Sequence, residues 1–83
     1  GLEPEIDIAP DFIFTSIKQG GIIKGTIKIE GKVDGAKTVE FYLKKSEDLP
    51  PIYLGQASQK DNRWSFLWDT RLQPNGRYKL FAK

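Results

Sequence analysis

Residues 64–83 read WSFLWDTRLQPNGRYKLFAK, and their pattern decides the fold. Trp64, Phe66 and Trp68 alternate with polar or small neighbours, the period of a strand with one buried face. Gln73-Pro74-Asn75-Gly76 then suits a type I turn, with proline pre-setting the first central residue and glycine taking the positive φ that follows. After it Tyr78, Leu80 and Ala82 alternate again. The segment reads as strand, corner, strand.

Eighty-three residues make one domain, which hides only roughly 60 to 65 per cent of its unfolded surface. Such a domain needs a staple or a few large side chains. The chain has no cysteine, histidine or methionine, so disulfides and the usual zinc ligands are out, but it carries two Trp, five Phe and three Tyr. Beginning at Gly1 without a methionine, it reads as one module of a longer protein. No apolar run is long enough to span a bilayer, and membrane insertion of this segment is not expected. Thirteen basic and eleven acidic residues leave a charge of +2. They are dispersed along the chain, without the clustered basic footprint that a phosphate backbone demands, so no nucleic-acid partner is expected.

Working outward, Ile6 and Ile8 alternate with acids between Pro4 and Pro10, the pattern of a short edge strand. Phe12, Phe14 and Ile17 form a second apolar run that reads as a continuation switching sheets. Gly20-Gly21 breaks it. From Ile22 to Val33 the alternation is cleanest. Ile23, Gly25, Ile27, Ile29, Gly31 and Val33 share one face, and Lys24, Thr26, Lys28, Glu30 and Lys32 the other. Gly25 and Gly31 mark bulges or close backbone approach. Val39, Phe41 and Leu43 form the inner face of the next strand, with Tyr42 and Lys44 outward. Residues 46–51 are a polar, proline-ended loop. Ile52 and Leu54 point inward from a short strand over 52–57, with Tyr53 outward, and Ser58–Arg63 is a turn.

Parity tests the Asp34-Gly35 connection. A two-residue hairpin would pair Val33 with Ala36 and so place odd positions opposite even ones. Directly paired residues share a face of a sheet, yet the apolar residues on both sides of the turn are odd-numbered. A tight hairpin would bury Glu40. The connection therefore crosses to a second, facing sheet; a longer bulged hairpin is the alternative. Six or seven short strands, with no helical period, predict an all-β two-sheet sandwich. Its expected core is Ile27, Ile29, Val39, Phe41, Leu43, Trp64, Phe66, Trp68, Tyr78 and Leu80.

The Gly-x-Ile-x-Ile strand, Val39-Glu40-Phe41-Tyr42-Leu43, Trp68-Asp69-Thr70 and Pro74-Asn75-Gly76-Arg77-Tyr78-Lys79-Leu80 together resemble the immunoglobulin-like (fibronectin III-like) domains of bacterial and archaeal cell-surface and secreted proteins. The likeness spans roughly residues 5–83. It implies an immunoglobulin-like sandwich, an extracellular or cell-surface location, and adjacent domains of the same polypeptide as partners. It also places Tyr78 where such folds use a tyrosine hydroxyl to tie down the corner before their sixth strand. The family's final strand has no counterpart after Lys83, which predicts an open apolar edge along residues 77–83. Three readings are open: the chain ends before that strand, residues 11–17 cover the edge, or a neighbouring chain donates a strand.

Catalysis has little to work with. Without histidine or cysteine a nucleophile lacks its usual base, and the serines sit in no recognisable elbow. Gly25–Lys32 fails as a phosphate loop on glycine spacing, on Val33 standing where Ser or Thr is required, and on its strand character. The acids show no calcium-loop spacing. No enzyme activity, metal or cofactor is predicted. Trp64, Phe66 and Trp68 could form a sugar-stacking row, but the core needs them more. The better binding face is outward: Tyr42, Tyr53 and Phe81 with Lys44 and Lys79. Its plainer reading is a cross-strand aromatic pair shielded by lysine stems. Two functions follow. One is a structural spacer in a multidomain protein; the other is an adhesive or carbohydrate-binding module that takes a protein or glycan partner on that face.

Overall fold

Alternation becomes strand wherever the sequence shows it most cleanly, and the strands assemble into an all-β sandwich of two four-stranded sheets. The computed structural model describes residues 5–8, 12–18 and 20–83. Its strands are β1 (Glu5–Ile8), β2 (Ile13–Phe14), β3 (Thr26–Lys32), β4 (Glu40–Lys44), β5 (Ile52–Gln56), β6 (Ser58–Lys60), β7 (Arg63–Asp69) and β8 (Arg77–Ala82), with a 3₁₀ turn at Thr70–Leu72. The first sheet has the order β1-β8-β4-β5 and the second β2-β3-β7-β6. Pairs are antiparallel except β1 with β8.

The crossing required by parity is present: β3 lies in the second sheet and β4 in the first. The odd-numbered aliphatics therefore face the indoles across the interior. Ile29, Val39, Phe41, Leu43, Trp64, Trp68, Tyr78 and Leu80 are buried, and Ile27 and Phe66 are half-buried against them. Ile6 and Phe12 complete the core. Each large apolar side chain moved from water contributes on the order of 2 to 3 kcal/mol, which is how so short a chain holds together without a staple. The apolar run over 12–17 does switch sheets, since β1 belongs to the first and β2 to the second.

Close approach explains Gly31. A Cβ there would collide with the Phe12 ring and lie 2.6 Å from the Ile13 carbonyl oxygen. Gly55 does the same for the Phe66 ring across the sandwich. These two glycines let one aromatic from each sheet lie flat on the backbone of a neighbouring strand.

Several expectations need correcting. There are eight strands among the described residues, not six or seven. Ser58–Arg63 is not all turn: Ser58–Lys60 pairs with β7, leaving Asp61-Asn62 as a two-residue turn in which Asp61 takes φ 56°. Asp tolerates that left-handed conformation, and its pairing with a charged, exposed strand left no apolar signal to read. Ile52 is 37% exposed rather than inward. It sits on an edge strand whose pairing with β4 jumps from Phe41–Gly55 to Tyr42–Tyr53, leaving Leu54 as a bulge. The corner also differs. Gln73 is extended (φ −111°, ψ 143°), and the chain turns one step earlier, in the 3₁₀ segment closed by Gln73 N–H donating to Thr70 O at 3.2 Å.

The open edge is the largest correction. β1 lies along β8 in parallel, with Glu5, Ile6, Asp7 and Ile8 opposite Arg77, Tyr78, Lys79 and Leu80. Residues 13–14 of the run proposed to cover that edge are in the other sheet. The driving force is burial: Ile6 is fully buried beside Tyr78 and Leu80. On its far side β1 is held by residues 20–22, through Ile6 N–H to Gly21 O (3.2 Å) and Gly20 N–H to Ile6 O (2.8 Å). The flanking Pro4 and Pro10 lie outside the described residues.

Candidate functional site

The outer face of the first sheet carries the predicted binding residues, and the register brings them together. Tyr42 on β4 stands opposite Phe81 on β8 and opposite Tyr53 on β5. This places three aromatics in one row across three strands. The Tyr42 and Phe81 rings are 5.4 Å apart and nearly parallel, at 16°. Tyr42 and Tyr53 are also 5.4 Å apart but tilted at 60°. The next row along the strands is Lys44 opposite Lys79.

Exposure within the row is uneven. Tyr42 and Phe81 are half-buried, while Tyr53 at the sheet edge is 53% exposed. Stacking against each other consumes ring surface on the inner pair, so the only generous aromatic surface belongs to Tyr53. Two effects push the Tyr53 hydroxyl above the ordinary tyrosine range: partial desolvation first, then the Glu40 carboxylate, which accepts its hydrogen bond. Glu40 was missed by the sequence reading. Its signal was there, since it lies two residues before Tyr42 and so on the same face.

The basic end of the face is compensated. Like charges directly opposite one another, as at Lys44 and Lys79, disfavour pairing. Lys44 Nζ lies 3.4 Å from Glu47 Oε2, and Arg77 Nη2 lies 3.1 Å from Glu5 Oε2. A groove of about 270 Å³ runs between Lys44, Lys45, Glu47, Arg77 and Lys79. Its charges are of both signs. Such a surface can hold polar groups but has nothing poised for proton transfer or nucleophilic attack.

Elsewhere, a hollow of about 480 Å³ sits on the opposite sheet where β6 stops, against Lys28, Ser58, Ser65, Phe66 and Leu67. Its polar groups do not converge. Among the described residues no group of three or more His, Cys, Asp or Glu side chains could hold a metal ion. Trp64, Phe66 and Trp68 belong to the core: the two indoles are buried and the Phe66 ring lies 6.0 Å from that of Phe41. No family model matches the chain, and no curated protein or solved structure is similar to it. The functional argument therefore rests on the chain's own geometry.

Proposed function

We propose that this chain is a non-catalytic structural module, an immunoglobulin-like spacer of a cell-surface or secreted multidomain protein. The observation that carries this reading is the parallel pairing of β1 with β8. Glu5 lies beside Arg77 at one end of the sheet, whereas Lys83 lies beyond Ala82 at the other, paired to Glu40 through both backbone groups (2.8 and 3.0 Å). Six residues of strand separate these ends, about 20 Å. A chain that comes in at one pole and leaves at the other strings modules end to end.

The strand order supports the immunoglobulin-like part of the reading. Taking β2, β3, β7 and β6 as A, B, E and D, and β4 and β8 as C and F, gives the two sheets of that architecture, with β1 standing where its last strand runs. The outer aromatics support a spacer over a binding module, because Tyr42 and Phe81 spend ring surface on each other. Tyr53 favours the second reading, an adhesive or carbohydrate-binding module, through its exposure at the free edge of the row. Fold alone selects neither. No helix among the described residues is long and apolar enough to cross a membrane, and the outward location rests on the sequence resemblance.

Two measurements test the proposal. In small-angle scattering, a tandem of two copies should be longer than one copy by about the module's long dimension, 33 Å. A side-by-side pair, with little growth in length, would overturn the end-to-end arrangement. On insoluble polysaccharides and whole cells, the unaltered chain and the Tyr42→Ser/Phe81→Ser variant should be equally unretained. Retention that the double variant abolishes would select the adhesive reading instead.

A further inference from the structure

We infer that β1 and β8 form a clamp loaded in shear, so that the module bears tension along its length; this deepens the spacer reading and rests on it. Tension on the chain ahead of Glu5 drags β1 toward the corner end of the sheet. Tension beyond Lys83 drags β8 the opposite way. Because the strands are parallel and in register from Glu5–Arg77 to Ile8–Leu80, these two pulls slide one strand along the other. Ladder bonds run between strands and not along them, so the load falls on the whole set together. An antiparallel hairpin pulled at its open end gives way one pair at a time.

Three features resist the slide. Glu5 N–H donates to Gly76 O, and the Glu5 carboxylate holds Arg77 across the same pair at 3.1 Å. On the far side of β1, Ile6 exchanges backbone bonds with Gly20 and Gly21. The Ile6 side chain, fully buried beside Tyr78 and Leu80, must leave the core before β1 can move by one residue. A strand this short would be weak if peeled. Held along its length and wedged by Ile6, it resists as a unit.

Single-molecule force spectroscopy separates the two geometries. The chain has no native cysteine, so Asn75→Cys gives a unique thiol at the end of β8 nearest Glu5. Tethering through residues 1 and 83 shears β1 against β8; tethering through residues 1 and 75 peels them from one end. At the same loading rate the shear geometry should rupture at about twice the peeling force or more, since forced unfolding reports the barrier and not the equilibrium stability. Equal forces would overturn the clamp. Glu5 N–H faces β8 and Ile6 N–H faces Gly21, so by alternation Asp7 N–H faces β8, and Asp7→Pro removes that donor. It should lower the shearing force while leaving the peeling force nearly unchanged; an equal fall in both would mean general weakening and sink the proposal. Polysaccharide retention would count against the spacer reading while leaving the force ratio intact. Equal forces with an extended tandem would remove the clamp alone.

Discussion

The Tyr78 hydroxyl donates to the Pro74 carbonyl oxygen at 2.6 Å, four residues back along the chain. That bond fixes the corner through which β7 in one sheet becomes β8 in the other. Thr70, fully buried, anchors the same corner from its other end by donating both its N–H (3.0 Å) and its hydroxyl (2.7 Å) to Gly25 O. Tyr78→Phe keeps the ring in the core and removes only the bond. A loss of about 1 kcal/mol in urea unfolding, with unchanged slope, is expected; no loss would mean that the hydroxyl does not hold the corner.

Alkali tests the same residue. Burial pushes the Tyr78 hydroxyl above the ordinary tyrosine range. The native chain keeps that proton after the unfolded chain has lost it, so the contribution is intact below about pH 10 and is lost as pH climbs through the raised value. Tyr53 shifts in the same sense but is half exposed, so its share is small. Stability measured from pH 9 upward should fall less steeply in Tyr78→Phe than in the unaltered chain. Parallel curves would count against it.

Two glycines should respond differently to a methyl group. At Gly31 a Cβ meets the Phe12 ring and also the Ile13 backbone oxygen, which cannot swing away. At Gly55 it meets only the Phe66 ring, which is half-buried and can tilt. Gly31→Ala should cost about 3 kcal/mol or more and Gly55→Ala about 1 to 2. Thermal melts in the reverse order would show that the Phe12 contact is not rigid.

Trp68 carries the buried Nε1 donor that has no hydrogen-bond partner among the described residues. Such an orphan costs free energy in the folded chain. Trp68→Phe therefore loses ring area but relieves that cost, and should destabilise by about 1 to 2 kcal/mol, against about 3 to 5 for Trp68→Ala. Equal losses by denaturant titration would place a partner on the indole.

β1 should be replaceable in trans. Removing residues 1–9 strips Ile6 from the core and bares the Arg77–Leu80 edge, and the shortened chain should melt well below the full one. A synthetic peptide of residues 1–11 should then raise the melting temperature in a concentration-dependent way. A peptide without effect would mean that β1 contributes nothing specific to that edge.

Much of this protein was legible before any coordinates. Period-two alternation places Ile29, Phe41, Leu43, Trp64, Trp68 and Leu80 indoors, because a strand has only two faces and water selects between them. Parity forced β3 and β4 into different sheets, since the alternative buried Glu40. The outer row of Tyr42, Tyr53 and Phe81 followed from the same counting, although its stacking did not. What escaped was carried by polar or very short segments: β6, made of Ser58, Gln59 and Lys60, has no apolar face to betray it, and the bulge at Leu54 changes the pairing without changing the pattern.

The sequence by itself determined which side of each strand is dry, since that depends only on residue type and spacing. Only the tertiary structure decided which strands are neighbours. β1 lies against β8 across some seventy residues of intervening chain, and its parallel direction depends on where Ile6 finds an unfilled place in the core. No local pattern encodes that choice, because burial rewards any vacancy of the right shape, and the vacancy exists only once both sheets have formed.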